Sequence, residues 1–346
     1  MTWSLMGKLF GVPLVIIGVI VGAAVVVVLT FGAPAATQQR SLDELLQALE
    51  SSTGRRSAGM LLPRDKEHWQ AGLELTRRLE TKDREFSDSE LTAVASRVGG
   101  MIRKELAGLR RADGAAEPAS GSLPGRSAQR RGIAAYNTNL DFLIRALGLT
   151  EHPWAIDVLV EVVRSAPDRY RAAAMQQLGN LAHMPGSSAA VEPILQTLTE
   201  TSSVETQLVA CTVLSVLADP SDSRVIDALA SVRLATAEGE VAWSAALALA
   251  RLGSNAGKST LADLLDRSFW EADDRYERTD DAGHVFRYRM PAHRVDAALF
   301  AAIDAAANLD DADLWDMIRV LTSDVSPVVR QRAVKAVTQR GDRALQ

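Results

Sequence analysis

A stripe of apolar residues at helical spacing returns along most of this chain and restricts its fold more than any other feature. Ile156, Leu159, Val160 and Val163 stand at i, i+3, i+4 and i+7, and Val191, Ile194, Leu195 and Leu198 repeat the pattern, as do Leu314, Met317, Ile318 and Leu321. This spacing puts four side chains on one helix face, and no convincing strand alternation interrupts it. Short breaks separate the stripes: Ala166-Pro167-Asp168, Met184-Pro185-Gly186-Ser187-Ser188, Asp219-Pro220-Ser221-Asp222 and Gly253-Ser254-Asn255. Each supplies a turn former, a helix stop or an N-cap. The second helix of several pairs opens on a V/Y-x-x-x-A spacing: Tyr170 with Ala174, Val241 with Ala245, Val329 with Ala333. Ala174 and Ala245 are 71 residues apart, and Ala245 and Ala333 are 88 apart. The first interval is two units of about 35 residues, and the second adds an insertion at 269–290. A two-helix unit of that period predicts an all-α fold, an α-solenoid in which each pair buries its apolar face on its neighbours.

The residues of these units resemble the HEAT-repeat family and its PBS-lyase-type relatives. Ser323-Asp324-Val325-Ser326-Pro327-Val328-Val329-Arg330-Gln331-Arg332-Ala333-Val334 is similar to that family's turn followed by V-R-x-x-A, and Asp168-Arg169-Tyr170-Arg171-Ala172-Ala173-Ala174 matches nearly as well. Val241-Ala242-Trp243-Ser244-Ala245 keeps the pattern with Ala where Arg is expected, and 188–219 and 256–308 are more degenerate. The resemblance covers 152–340 and implies a HEAT-like repeat array there, with 341–346 as a tail. Residues 41–148 are read as degenerate N-terminal repeats. Ser41-Leu42-Asp43-Glu44 is a capping start, His68 to Leu75 lies in a second helix, and a helix is expected over 88–111. A flexible loop follows at 112–131, and another helix at 133–147 closes that pair. The composition agrees: 47% of residues are hydrophobic but only 5% aromatic. An interior of Ala, Leu and Val suits closely approaching helices.

Leu9 to Phe31 is an uncharged stretch of 23 residues. As a helix rising 1.5 Å per residue it is long enough for a hydrocarbon core of about 30 Å, so 9–31 is expected to be a transmembrane helix. It is preceded by a tail at 1–8 and followed by a linker at 32–40. A signal peptide is the rival reading, but its apolar core runs only about 7–15 residues. Gly11, Gly18 and Gly22 share one face of this expected helix, and Gly18-x-x-x-Gly22 would let two copies pack closely as a homodimer. Arg40, Arg55, Arg56, Arg64 and Lys66 outnumber Lys8 across the span, which tilts the body toward the cytoplasmic side of a single-pass cell-membrane protein.

The net charge of −5 is unevenly spread. Residues 40–131 hold 17 Lys and Arg against 14 Asp and Glu, whereas 132–346 hold 20 against 29. An acidic distal body argues against a nucleic-acid partner, because phosphate binding needs clustered positive charge. Cys211 is the single cysteine, so no internal disulfide forms.

No catalytic, cofactor or metal constellation is expected. Gly253-Ser254-Asn255-Ala256-Gly257-Lys258-Ser259-Thr260 imitates a phosphate-binding loop, but it has three residues between its glycines and follows no strand, so it is read as an inter-repeat turn. Asp310, Asp311, Asp313 and Asp316 are read as acids at a helix start, where the dipole favours them. The histidines at 68, 152, 183, 284 and 293 are scattered, and Cys211 is read as a packing residue. Within the insertion, Asp273, Asp274, Asp280, Asp281, His284 and His293 match no ligand spacing and are balanced by Arg275, Arg278, Arg287 and Arg289. Trp270, Tyr276, Phe286 and Tyr288 are the residues there that would contact a protein partner, from a solvated loop or short hairpin.

Three function classes follow. The first is a non-enzymatic scaffold or adaptor at the membrane, binding a protein of unidentified kind on stacked helix pairs. The second is a structural spacer that self-associates through its membrane helix. The third, least supported by the residues, is an enzyme or accessory factor of the bilin-lyase or base-excising kind that the resemblance brings in.

Overall fold

The computed structural model describes residues 40–52, 63–81, 86–115, 138–235, 239–272, 276–279, 285–288 and 290–344. Among them no helix is long and apolar enough to cross a membrane. The expected membrane helix at 9–31, with Gly11, Gly18 and Gly22, lies outside the described residues.

The chain divides into two compact units, Met1–Leu45 and Leu46–Gln346. The described part of the first is the opening of α1 (Leu42–Ser52). There the Ser41 amide donates to Glu44 at 2.8 Å, and the Glu44 amide donates back to Ser41 Oγ at 3.2 Å. This reciprocal cap satisfies two amides that a helix start otherwise leaves open.

The second unit is helical, with repeated helix packing. Its elements are α2 (Pro63–Thr81), α3 (Asp88–Ala115), α4 (Thr138–Leu149), α5 (Pro153–Ser165), α6 (Asp168–Asn180), α7 (Val191–Glu200), α8 (Val204–Leu217), α9 (Ser223–Ala235), α10 (Gly239–Arg251), α11 (Lys258–Leu265), α12 (Arg267–Glu271), β1 (Tyr276–Thr279), β2 (Val285–Tyr288), α13 (Ala292–Ala306), α14 (Ala312–Val320) and α15 (Pro327–Ala344). Helix α3 runs four residues into the loop expected from 112, because Ala112 and Ala115 favour helix and one glycine between them is tolerated.

Contacts run in series. Helices α2, α4, α6, α8, α10, α13 and α15 each pack on the next in that order, and α3, α5, α7 and α9 form a second succession. Across the two, α3 packs on α4, α5 on α6, α7 on α8, α9 on α10, α11 on α13 and α14 on α15.

One position explains how closely the first succession packs. Ala174, Ala210, Ala245 and Ala333 are each 0% exposed, and four residues before them Tyr170, Thr206, Val241 and Val329 are buried as well. A methyl group there lets adjacent helices approach, while the larger residue one turn earlier fills the seam. The residue after that larger one ties helix to turn. Arg171 Nε donates to Ala166 O at 2.6 Å, Gln207 Nε2 to Thr201 O at 3.2 Å, and an Arg330 guanidinium nitrogen to Asp324 O at 2.6 Å. The Arg of the repeat pattern thus satisfies a carbonyl at the inter-helix turn, and Gln207 does the same in a unit whose sequence hides it.

Ion pairs between alternate helices set the register. Asp141 of α4 pairs with Arg169 of α6 at 2.7 Å, Glu192 of α7 with Arg224 of α9 at 2.9 Å, and Asp304 of α13 with Arg332 of α15. These are all at least partly open to solvent, so each contributes about 0–1 kcal/mol, and burial of the stripes supplies far more.

Ala245→Leu will overpack the α8–α10 seam and destabilise the fold by about 1–3 kcal/mol. Thr212→Leu, on the exposed face of α8, will change it by less than about 0.5 kcal/mol. Denaturant unfolding followed by circular dichroism measures both.

Candidate functional site

The repeat period is broken between α12 and α13, and there the chain builds its one departure from helix among the described residues. Asp266 caps α12, accepting from the Ser268 amide at 2.9 Å. The helix then turns Trp270 inward. At 3% exposure it belongs to the core, and its indole N–H donates to Leu264 O at 2.9 Å. Its ring meets Trp243 of α10 edge-on at 4.9 Å and Phe269 at 5.3 Å, and Trp243 meets Phe269 at 5.9 Å. Such pairs contribute about 0.5–1.5 kcal/mol beyond their burial. Trp270, expected from the sequence to face a partner, is a root of the insertion in this structure.

A second root is ionic. Arg267 holds Asp324 through two hydrogen bonds of 2.7 Å and Asp296 through a third of 2.7 Å. Ser326 completes the cluster, donating its hydroxyl to Asp296 at 2.7 Å and its amide to Asp324 at 2.7 Å. The Asp324 side chain is 4% exposed and that of Arg267 15%. The Asp324 hydrogen bond, with help from Asp296, raises the Arg267 guanidinium above its ordinary value. Burial pushes the Asp296 carboxyl upward, but hydrogen bonds from Arg267 and Ser326 outweigh it and hold the group below its usual range. Its contribution to stability is therefore present above the ordinary carboxylate range and is lost as pH falls through that lowered value.

Between these roots and Met290, β1 and β2 pair antiparallel, Tyr276 opposite Tyr288, Glu277 opposite Arg287, Arg278 opposite Phe286 and Thr279 opposite Val285. Alternation along a strand then places Tyr276, Arg278, Phe286 and Tyr288 on one face of the ribbon. Asp273, Asp274, Asp280, Asp281 and His284 lie outside the described residues.

Elsewhere the chemistry is occupied internally. In the loop that imitates a phosphate site, Gly253 has φ +77° and ends α10, with its amide donating to Ala250 O and the Ser254 amide to Leu249 O. Gly257 lies so close to α10 that a Cβ would come within 2.9 Å of Ala246 Cα. Lys258 Nζ pairs with Asp311 and Asp313, each at 2.7 Å. Asp311 also caps α14, accepting from the Asp313 and Leu314 amides, and Asp310 pairs with Arg340 at 2.9 Å. Among the described residues no group of three or more His, Cys, Asp or Glu is placed to hold a metal. An open groove of about 430 Å³ is lined by Arg110, Asp157, Val160, Glu161, Arg164 and Ala189. Its charges are of both signs, and Glu161 draws Arg103 to 3.0 Å and Arg110 to 3.9 Å. Cys211 is fully buried, and burial pushes its thiol up to about 12.

The described body is thus an all-α protein with repeated helix packing and one rooted ribbon. No family model matches the chain, and no curated protein matches it. A solved structure from work titled "Computational Design of Self-Assembling Cyclic Protein Homooligomers" aligns over 86% of this chain and 81% of that one at 16% identity. Its TM-score of 0.15 carries no argument.

Sequence reasoning missed Trp243 and Phe269 as partners of Trp270, and Arg267 as the hub joining α12, α13 and the turn before α15. Aromatics clustered at both ends of a period break were the available signal for the first. The Arg267 contacts join residues 29 and 57 positions apart, which no local pattern reveals.

Asp324→Ala will remove two of the charge-assisted hydrogen bonds of Arg267, leaving Asp296 as its partner, and destabilise the fold by about 2–3 kcal/mol, whereas Asp296→Ala, at the more exposed end, will cost less; thermal and urea unfolding measure the difference. At pH 8 the native Cys211 thiol will react with a disulfide reagent about a thousandfold or more slowly than the urea-unfolded chain, read as thiolate release.

Proposed function

We propose that this chain is a HEAT-like α-solenoid serving as a protein-interaction scaffold, held at a membrane by residues 9–31. The observation that carries the reading is the ribbon: among the described residues the helical body is interrupted once, and the entry to the interruption is rooted in the core. Trp270 and Arg267 secure the entry, and past the ribbon Met290 packs against the same core cluster. Three aromatics and an arginine on one ribbon face are residue types that dominate binding energy at protein interfaces. Lys258 and Asp311 pair with each other and Cys211 is buried, so these three residues lend an enzymatic reading no support. An acidic body gives nucleic acid none either.

The test replaces 273–289 with a short Gly-Ser turn between Ala272 and Met290, in the full chain solubilised in detergent. Helical circular dichroism and unfolding midpoint are expected to stay near those of the parent, because the roots remain. Proteins that photocrosslink to a benzophenone residue at Tyr288 in cells, and not to one at Gln331, should no longer co-purify with the replaced chain. Retention of every specific partner after the replacement would overturn the assignment of the ribbon. A self-associated species with nothing else bound, dissociated by Gly18→Leu with Gly22→Leu, would instead favour the spacer role that the Gly18-x-x-x-Gly22 spacing suggests.

A further inference from the structure

The junction between α4 and α5 carries an arrangement that the scaffold reading does not use. Glu151 has φ +48°, the left-handed region that a side chain disfavours by about 1 kcal/mol or more. His152 follows as the N-cap of α5, ahead of Pro153 in the first turn. Its Nδ1 accepts from the Trp154 amide at 3.2 Å, and its Nε2 lies 3.3 Å from Thr92 Oγ1 of α3.

The two contacts fix the imidazole's protons independently. An amide can only donate, so Nδ1 must carry a lone pair. Thr92 has one hydroxyl hydrogen and gives it to Asp88 O at 2.7 Å, so its oxygen accepts from the ring and Nε2 carries the hydrogen. Both ends therefore require the neutral ring with hydrogen on Nε2. A second proton can enter only at Nδ1, where it would face the Trp154 N–H, donor against donor, at the positive end of the α5 dipole.

The cap sits beside a tight seam. Trp154 lies over Gly99 of α3, where a Cβ would come within 2.4 Å of the indole, and the Arg103 guanidinium stands 4.9 Å from the ring. Gly99, Trp154 and the His152–Thr92 hydrogen bond thus hold α3 against α5. The charged groups on the elements meeting there are Glu151 in the junction, Asp88, Glu90, Arg97 and Arg103 on α3, and Asp157 and Glu161 on α5. Arg97 is paired with Glu50 and Arg103 with Glu161, so neither pair supplies a fresh partner for an imidazolium.

We infer that His152 is a proton-sensitive cap: protonation breaks its bond to the Trp154 amide and loosens the α3–α5 seam, while the remaining helix junctions hold. The helix α8 is an internal control, since its cap is Ser203, which accepts from the Thr206 amide and does not titrate.

Hydrogen exchange of the full chain at pH 7.5 and pH 5.0, corrected for the intrinsic pH dependence of amide exchange, tests this. Exchange in the first turn of α5 should rise about tenfold relative to the first turn of α8 in the wild type. It should stay level in His152→Asn, whose amide oxygen caps without titrating. Equal exchange at both pH values, or the same rise in His152→Asn, would overturn the inference. Ring nitrogen shifts of His152 in the wild-type chain give a reading that needs no variant. A hydrogen on Nε2 alone at pH 7.5 is expected, and a hydrogen on Nδ1 at that pH would sink the proposal.

Discussion

A helix with one apolar stripe has nowhere to hide it except on another helix, and how near that neighbour comes is decided by the side chain at the point of closest approach. In α6, α8, α10 and α15 that side chain is a methyl: Ala174, Ala210, Ala245 and Ala333 are all shut away from water. Larger residues at those points would hold the axes apart and leave the stripes half covered. The residues one turn earlier, Tyr170, Thr206, Val241 and Val329, are buried with them. Turn carbonyls that this close packing would orphan are met by Arg171, Gln207 and Arg330. In three of these units packing and hydrogen bonding are thus solved by the same three positions, and in the fourth Ala242 leaves only the packing pair.

Those positions explain which parts of the fold the sequence discloses. Tyr170 with Ala174 and Val329 with Ala333 are legible because both units keep the Arg, and the structure buries all four. The stripe Ile156, Leu159, Val160 and Val163 is likewise buried throughout. Thr206, Gln207 and Ala210 carry the same geometry in other letters. A hydroxyl replaces the aliphatic residue there and an amide the guanidinium, so the unit looks degenerate although its contacts are not. Asp311 was readable as a helix start because a cap is a local event within three residues. Arg267 was not, since its partners are brought to it only by folding.

The candidate site shows the same division. An insertion could be located from the jump in repeat interval, and its aromatics could be counted. The sequence did not separate the inward one, Trp270, from those on the ribbon. That distinction depends on Trp243, a residue from α10 that supplies the ring against which Trp270 turns. The register of β1 with β2 then groups Tyr276, Phe286 and Tyr288 on one side, whereas linear order scatters them.

Serial contact has a thermodynamic consequence. In each succession a helix leans on the one before and the one after, so no single residue is in touch with the whole, and strain or loss at one joint is felt chiefly by the next. Free energy in such a molecule is distributed like tension along a row of links. The terminal helices can open while the interior stays folded, and partly opened forms become populated in order of their distance from the best-secured joint. The Arg267 cluster, which ties α12, α13 and the turn before α15 through three hydrogen bonds of 2.7 Å, is one joint at which such opening is resisted.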